Sequence, residues 1–441
     1  MMMNKVLLIQ SSPYGPDRQP VKQCRLYFPG LALPLLAALS PAGWSTEICL
    51  ETIEDIPWNT DADLIGISGM GHAIIRSLDI ADRFRQQGKP VVIGGYMASL
   101  MPEEALKHAD AVVVGDAETV WPRLLDDFQS GAMQRLYRAE ATETLTLPLP
   151  RYELLTSKAI GDWLPVQAGR GCPNTCSFCS VYCLYRGRYQ RRTEADVLRD
   201  IRHIRSLGWR RFILLDDNIY ADPEYMLSLC QQISPLGMQW MSQCSITVGR
   251  DDRLLSALAA SGCMALSFGL ESISPESLDA MGKGWAVPSE YPALIRRIRA
   301  AGIEVSTEMV VGGEGDTLAS IAATAGFIRE TRIIVPRFYI LTPIPGTDFY
   351  HAMQQAGRLC HDDIYRYHGA EAVHKPRNMS PEALTTAYWS LYEDVYSIRS
   401  IMQRVWGGWK ALRHPLRQLF YLGVNWHYRR SIGRRIPPNI F

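Results

Sequence analysis

The chain has 441 residues, of which 47% are hydrophobic and 21% charged, so a wholly disordered protein is excluded and about two or three domains are expected. Lys plus Arg number 46 and Asp plus Glu 45, which excludes a whole-molecule field able to hold nucleic acid. The first residues run straight into an apolar strand without the pattern of a secretory signal, and no stretch has the about 20 apolar residues of a membrane span. We therefore expect a cytoplasmic protein.

Residues 5 to 130 alternate short apolar runs with stretches of helical period. This alternation predicts a doubly wound, Rossmann-like domain of about five parallel strands joined by crossover helices. The runs predicted as strands are 6–9, 47–50, 64–68, 91–93 and 111–114, and the clearest helices are 74–87 and 102–108.

Glycine and polar residues follow these predicted strands. Ligands of such sheets bind outside the carboxyl ends of the strands, so the residues there are candidate ligand contacts. The alternative is that the glycines only form tight turns between strands and helices. The candidates are Ser12, Gly69, Gly94, Gly95, Gly115 and Glu118.

A second domain of alternating strands and helices is predicted after a Pro-containing linker at 141–162. Strand patterns at 165–168, 212–215, 243–247, 265–270, 303–311 and 338–341 are separated by helical patterns at 194–207, 223–233, 254–260 and 292–301. Six such units predict a partial or full β/α barrel with its active site at the carboxyl ends of the strands. The predicted domains are thus 1–140, the barrel at 163–360 and a helical, basic region at 361–441.

Three of the ten cysteines form a C-x3-C-x2-C motif of Cys172, Cys176 and Cys179, directly after the first predicted barrel strand. Three thiolates on one loop suit a [4Fe–4S] cluster, whose fourth iron would stay open to another ligand. A structural zinc site would need a fourth protein ligand, and no second C-x2-C is present. Cys183 is the alternative fourth ligand, although a closed cluster would lose the open iron.

With this spacing after the first barrel strand, the chain resembles the radical S-adenosylmethionine (SAM) superfamily. The resemblance implies that Cys172, Cys176 and Cys179 bind the cluster and that the open iron chelates SAM. An electron from a reducing partner such as flavodoxin or ferredoxin then cleaves SAM to methionine and a 5′-deoxyadenosyl radical. This radical abstracts hydrogen from a small-molecule substrate.

The resemblance also implies cofactor contacts at further positions. Phe178 corresponds to the aromatic residue that packs on adenine, and Gly312 belongs to a turn beside it. Asp216-Asp217-Asn218 lie where the family contacts the SAM amino group, Glu271 lies where a carboxylate accepts from the ribose hydroxyls, and Gln243 faces SAM or substrate. The alternatives are a loop Phe that is buried without a cofactor, and an Asx turn or helix cap at 216–218.

Pro343-Ile344-Pro345-Gly346-Thr347 and the first 130 residues resemble the subgroup with an N-terminal cobalamin-binding domain. One feature departs from many cobalamin domains, because Ser11-Ser12-Pro13-Tyr14 stands where a D-x-H-x-x-G motif would supply an axial His. Either cobalamin binds without that His, which the resemblance favours, or the domain persists as a scaffold.

The resemblance implies C-methylation, in which one SAM methylates cobalamin and a second generates the radical that activates the substrate carbon. The alternatives are oxidation, cyclisation or rearrangement with a vestigial cobalamin domain and, outside enzymes, an iron–sulfur electron carrier.

The tail has a distinct composition. Residues 395–441 contain nine Lys or Arg and no Asp or Glu. Such a segment is typical of a helix on an anionic membrane surface, which would suit a lipid-like or tetrapyrrole substrate, or of a helical cap on the barrel. Nucleic-acid binding is not expected, because the rest of the chain is not basic. The apolar residues interleaved with the basic ones are Trp406, Trp409, Leu412, Leu416, Phe420, Tyr421 and Trp426.

Overall fold

The computed structural model describes residues 3–15, 17–140, 144–406 and 415–438. The described chain divides into two compact units. Unit 1 comprises the residues up to 170 together with 183–215, and unit 2 comprises 171–182 and the residues from 216 onward. Both are α/β, as predicted. The predicted domain boundaries at 140, 162 and 360 stay predictions.

Unit 1 contains a six-stranded sheet in the order β2-β1-β3-β4-β5-β6, and every recorded pairing is parallel. Strand β1, which has a neighbour on each side, is apolar because helices cover both of its faces, and its residues 6–9 have no solvent exposure. The strands are β1 Asn4–Gln10, β2 Trp44–Leu50, β3 Leu64–Ser68, β4 Val91–Gly94, β5 Ala111–Val114 and β6 Leu136–Arg138.

The five predicted strands are confirmed, and β6 was not predicted. The helices of this sheet are α1 Ala32–Leu39, α2 Ile74–Gln86, α3 Tyr96–Leu100, α4 Pro102–His108 and α5 Trp121–Gln129. The following elements are α6 Glu153–Thr156, β7 Leu164–Val166, β8 Gly169–Gly171, α7 Ser180–Tyr185, β9 Tyr189–Arg191, α8 Glu194–Ser206 and β10 Arg211–Leu214. Strand β7 pairs in parallel with β10, and β8 pairs with β9.

Unit 2 contains four consecutive parallel strands, β11 to β14, separated by helices that cover them. The elements are α9 Pro223–Ile233, β11 Gln239–Gln243, α10 Asp252–Ala260, β12 Cys263–Glu271, α11 Pro275–Ala280, α12 Tyr291–Ala300, β13 Glu304–Val311, α13 Leu318–Thr331, β14 Val335–Ile340 and α14 Asp348–Gln355. Three further helices follow, α15 Pro381–Val395, α16 Ile398–Trp406 and α17 Pro415–Ile432.

One strand prediction was wrong. The third barrel strand was placed at 243–247, but β11 ends at Gln243, and Ile246–Arg250 forms a 3-10 helix. The segment 243–247 alternates polar and apolar residues whereas 239–243 does not, so the period favoured the wrong segment. The fully buried Trp240 fixes the true strand, since its backbone N–H donates to the carbonyl of Gly262 at 3.0 Å.

Tyrosine hydroxyls of helix α15 and of the residue after it bond to the outer edge of β14, whose one strand partner among the described residues is β13. The Phe338 N–H donates to the Tyr392 hydroxyl at 2.8 Å, and this hydroxyl donates to the Phe338 carbonyl at 3.0 Å. The Tyr396 hydroxyl donates to the Pro336 carbonyl at 2.7 Å. Side chains therefore satisfy backbone groups that another strand would otherwise pair.

Helices α15 to α17 agree with the predicted helical tail. The prediction placed its start too early, because the described segment 361–380 has no helix beyond the 3-10 turn Ile364–Arg366. No described helix combines the length and the apolar character that crossing a membrane requires. Trp409 and Leu412 lie outside the described residues, as does the side chain of Leu416.

Candidate active site

The three cysteines lie on a loop between β8 and α7 that backbone hydrogen bonds hold from two sides. The Ser177 N–H donates to the Met281 carbonyl at 3.0 Å, and the Phe349 N–H donates to the Ser177 carbonyl at 3.1 Å. Gly282 comes so close that a Cβ there would lie 2.8 Å from the carbonyl oxygen of Thr175. The loop is therefore positioned by the turn after α11 and by the start of α14.

The polar residues after β10 also hold this loop. The Gly171 N–H donates to Asp217 Oδ2 at 2.8 Å, and Asn218 Nδ2 lies 3.8 Å from Cys172 Sγ. Asn218 Oδ1 accepts from the N–H groups of Tyr220 and Ser245, the first of which forms an Asx turn. Asn218 therefore forms the Asx turn that was the alternative interpretation of this segment. Contact of residues 216–218 with SAM stays a prediction.

The alternative that 216–218 cap a helix is wrong. The N-cap of α9 is Asp222, whose carboxylate accepts from the Tyr225 N–H at 3.1 Å. Asp216 is buried, with 2% of its surface exposed, and Asp217 is half-buried.

Burial controls the protonation of the cysteines. It raises the pKa of Cys176 to about 12, although the neighbouring Lys283 ammonium acts in the opposite direction, and it also raises the pKa values of Cys172 and Cys179. The metal-free thiols are therefore protonated near neutral pH, and iron must displace their protons on binding.

Single-ion binding and cluster binding make different demands on such a site. In the part of the chain that the structure describes, no three His, Cys, Asp or Glu side chains converge as they would around one metal ion. A [4Fe–4S] cluster does not require this convergence, because each thiolate binds a different iron. Three thiols on a loop held at both sides fit such a cluster.

Glu271 ends β12 in a backbone conformation that is rare for its residue type. Its φ is +59°, at a register shift between β12 and β13. Its Oε1 accepts from Lys283 Nζ at 2.7 Å, and Nζ also donates to the Gly269 carbonyl at 2.6 Å. Within the described residues no partner is recorded for Oε2, so this oxygen can accept from a ligand.

The sequence reasoning missed Lys283, which is 7% exposed. Burial alone would lower the pKa of this ammonium, but the carboxylate of Glu271 more than offsets it, so the pKa is raised, and Cys176 as a thiolate acts in the same direction. Lys283 thus connects Glu271 electrostatically with the cysteine loop. It stands between two glycines without a motif that would mark it.

The residues predicted near adenine lie in an apolar and glycine-rich part of unit 2. Phe178 packs on the buried cluster of Met281, Val310 and Leu341, which explains its position without a cofactor. Gly312 has a φ of +92°, and a Cβ there would lie 2.5 Å from a Leu384 methyl group. Its place beside adenine stays a prediction.

Asp316, which the sequence reasoning also missed, organises this glycine turn. Its Oδ2 accepts from the N–H groups of Gly312 and Gly313, both at 2.9 Å, and its Oδ1 accepts from the Ser277 hydroxyl at 2.9 Å. Gln243 is the exposed last residue of β11, and its predicted contact with SAM or substrate stays a prediction.

In unit 1, the order β2-β1-β3 creates the point where the direction of strand addition reverses, and doubly wound folds bind ligands there. The loops after β1 and β3 meet at this point, since the Ser11 hydroxyl donates to the Ala73 carbonyl at 3.0 Å. The hydroxyl of the fully buried Ser12 donates to the Val21 carbonyl and holds the loop after β1.

The candidate glycines of unit 1 differ in what surrounds them. A Cβ at Gly69 would lie 2.4 Å from Ser77 Oγ, so this glycine allows the close approach of α2. Gly95 and Gly115 have φ values of +99° and +85°, which favour glycine, whereas Gly94 would accept a Cβ in ordinary contact. The turn alternative accounts for Gly69, and the cofactor role of all four stays a prediction.

Glu118 binds a buried arginine of the same unit. Arg170 Nη2 donates to Glu118 Oε1 at 2.8 Å, and Nη1 lies 2.9 Å from Asp116 Oδ1. The Tyr185 hydroxyl donates to the same Asp116 oxygen at 2.8 Å, and its ring packs edge-on against Tyr96. The loop after β5 is thereby fixed.

Comparison with known proteins identifies the family of the chain. The family model of the radical SAM superfamily matches residues 166–328, and the B12 binding domain matches residues 35–125. Bacteriochlorophyllide d C-12(1)-methyltransferase of Chlorobaculum tepidum is 31% identical over 354 residues, which cover 78% of this chain and 77% of that protein. The chain belongs to the radical SAM superfamily, in the group with a B12-binding domain.

Two further proteins resemble this radical SAM enzyme. Bacteriochlorophyllide d C-8(2)-methyltransferase of the same organism is 29% identical, over 85% of this chain and 87% of that protein. The structure of the radical SAM methyltransferase TsrM from Kitasatospora setae shares the fold, with 18% identity, a TM-score of 0.65 and coverage of 80% of this chain and 75% of that one. The family is that of cobalamin-dependent radical SAM methyltransferases, whose cofactors are a [4Fe–4S] cluster, SAM and cobalamin.

Replacement of Gly282 by Ala in this radical SAM enzyme is expected to destabilise the protein by about 1–2 kcal/mol through the positive φ of +71° alone. It should also lower the iron content, because the new methyl group pushes on Thr175 beside Cys176. The matched control is Gly302→Ala, since Gly302 also has a positive φ, +94°, but nothing within 4 Å. Iron analysis and thermal unfolding test both variants. Equal iron content in both would contradict a role of Gly282 in placing the loop.

Proposed function

We propose that this enzyme transfers a methyl group to an unactivated carbon of a tetrapyrrole in a cobalamin-dependent radical reaction. The observation that carries the proposal is the cysteine loop held beside the Lys283–Glu271 pair, with Oε2 of Glu271 available to a ligand. The tetrapyrrole is chosen because the two relatives described above are bacteriochlorophyllide d methyltransferases.

In this proposal Cys172, Cys176 and Cys179 hold the cluster, and Oε2 of Glu271 accepts a hydrogen bond from the ribose of SAM. When bound, the cluster and SAM supply the hydrogen-abstracting radical, and cobalamin supplies the methyl group. Lys283 fixes the Glu271 carboxylate through Oε1 and leaves Oε2 free to accept. Phe178 and the apolar cluster around Met281 exclude water from their side of the site.

The loops after β1 and β3 would hold cobalamin in unit 1. Support comes from the reversal of strand order at this point and from the match to the B12 binding domain. Binding would not use an axial His after β1, because that loop begins with Ser11, Ser12, Pro13 and Tyr14.

The proposal is tested with protein reconstituted with iron, sulfide and hydroxocobalamin and then given SAM carrying a deuterated methyl group, a reductant and bacteriochlorophyllide d as the probe. We expect 5′-deoxyadenosine and S-adenosylhomocysteine in equal amounts, and the deuterated methyl group in the product. The matched control omits cobalamin during reconstitution.

Other outcomes would redirect the assignment. Formation of 5′-deoxyadenosine with an oxidised or cyclised product and no S-adenosylhomocysteine would contradict methylation and favour a vestigial cobalamin domain. A cluster whose spectrum does not change when SAM is added would favour an electron carrier. A lipid-like probe with a polycyclic hydrocarbon skeleton, given to the same preparation, tests the alternative substrate class.

A further inference from the structure

Helix α17 is fixed to unit 2 by its inner face. The fully buried Asn425 donates from Nδ2 to the Ile334 carbonyl at 3.1 Å, and its Oδ1 accepts from the buried Arg404 at 2.9 Å. One turn earlier, the Tyr421 hydroxyl donates to Glu304 Oε2 at 3.1 Å. These bonds set the rotation of the helix about its axis, so the side chains of its opposite face cannot turn inward.

That opposite face carries large apolar side chains. Leu419, Phe420 and Trp426 are 57%, 67% and 62% exposed. At about 100° per residue, Leu419 and Trp426 lie on one line along the helix with Gly423 between them, and Phe420 lies beside it. A contiguous exposed apolar face marks an interaction surface, whereas scattered apolar residues need no such explanation.

The charges around this face are all positive within the helix. Arg417 and Arg430 are exposed and have no recorded partner among the described residues. By contrast, Arg429 donates to the Tyr396 carbonyl, and Arg435 pairs with Glu393. The nearby acidic groups are already engaged, because Asp394 pairs with Arg329 and Glu304 with Arg299.

We propose that the exposed face of α17 binds the surface of an anionic lipid bilayer, with Leu419, Phe420 and Trp426 inserted between the headgroups and Arg417 and Arg430 beside lipid phosphates. Charge complementarity selects this occupant, because the exposed Arg417 and Arg430 flank the apolar face and no acidic residue lies in 395–441. The helix would lie in the plane of the interface. Its inner face would at the same time cap unit 2, so the two predictions for the tail are compatible.

The test uses the full chain with vesicles of phosphatidylcholine alone or mixed with phosphatidylglycerol. We expect the protein to cosediment with the mixed vesicles at low salt and to be released at high salt. Phe420→Ser together with Trp426→Ser should weaken the affinity by at least about tenfold. Arg417→Gln together with Arg430→Gln should abolish the preference for phosphatidylglycerol.

The matched control replaces two exposed apolar residues elsewhere, Met264→Ser and Leu318→Ser, and should bind like the wild-type protein. A second readout, the quenching of tryptophan fluorescence, uses a variant in which Trp426 is replaced by another apolar residue. Brominated phosphatidylglycerol should quench a larger part of the tryptophan fluorescence in the wild-type protein than in Trp426→Phe.

Three results would overturn the proposal. They are equal binding of the Phe420 and Trp426 variant and the wild-type protein, equal quenching with and without Trp426, and a wild-type dimer that this variant converts to a monomer. The last result would assign the face to a second copy of the chain. SAM cleavage measured without vesicles should be unchanged in every variant, so a failure of this proposal is distinct from a failure of the methylation proposal.

Discussion

Replacement of Cys176 by Ala is expected to leave the fold intact but to remove the [4Fe–4S] cluster and SAM cleavage. Cys176 is the most buried of the three motif thiols and lies beside the residues that hold the loop. Loss of a group that merely supports a metal ligand costs about 10- to 100-fold, so loss of a ligand itself should reduce 5′-deoxyadenosine formation by more than about 100-fold. Iron and sulfide analysis and chromatography of the deoxyadenosine measure both effects.

Two single-cysteine variants serve as controls. Cys360→Ala removes an exposed thiol outside the motif and should retain about four iron atoms per chain. Cys183→Ala should also retain the cluster and its response to SAM. Loss of the cluster in Cys183→Ala, or normal turnover in Cys176→Ala, would mean that the three-cysteine assignment is wrong.

Replacement of Glu271 by Gln should lower both stability and the affinity for SAM. The change leaves the Lys283 ammonium buried without its counterion, and removal of one partner of a buried pair costs up to about 3–5 kcal/mol. A hydrogen bond to a charged group contributes about 1.5–3 kcal/mol, so SAM affinity should fall about 10- to 100-fold. Thermal unfolding of the apoprotein and SAM titration of the folded holoprotein measure the two effects.

A double variant separates these effects. Glu271→Gln with Lys283→Met leaves no unpaired buried charge at the site of the Glu271–Lys283 pair. Stability should therefore recover, while SAM affinity should not. Asp200→Asn is the matched control, because it breaks the equally buried Arg192–Asp200 pair of unit 1 and should cost stability alone. If folded Glu271→Gln bound SAM as tightly as the wild-type protein, Glu271 would have no role in binding.

The sequence predicted the elements whose burial repeats regularly along the chain. Strands β1 to β5 are apolar because both faces of the sheet are covered, and the helices 74–86 and 223–233 follow the helical period closely. Strand β6 has three residues, of which only Tyr137 is fully buried, so its burial leaves no period to recognise. Strand β11 was misplaced because the segment 243–247 alternates polar and apolar residues, whereas the strand itself, 239–243, does not.

The motif identified the cysteines but not the residues that position them. A carboxylate after a strand can face a ligand or hold its own backbone, and only the fold decides between these. Asp217 and Asn218 bond to the cysteine loop. Glu271 instead keeps one oxygen available, and no sequence pattern predicts its left-handed backbone conformation. The pairing of Glu271 with Lys283 depends on a turn 12 residues further along the chain.

The phenol oxygens of Tyr392 and Tyr396 occupy hydrogen-bonding positions along β14 that a further strand would use. An unprotected flank of this kind is where unrelated chains join to form aggregates. Helix α15 therefore prevents a further strand from pairing with β14. This helix lies beyond residue 328, where the match to the radical SAM family model ends. A fragment cut at that limit would keep the cysteine motif but lose β14 as well as α15, so the edge of β13 that β14 pairs with would be open to aggregation.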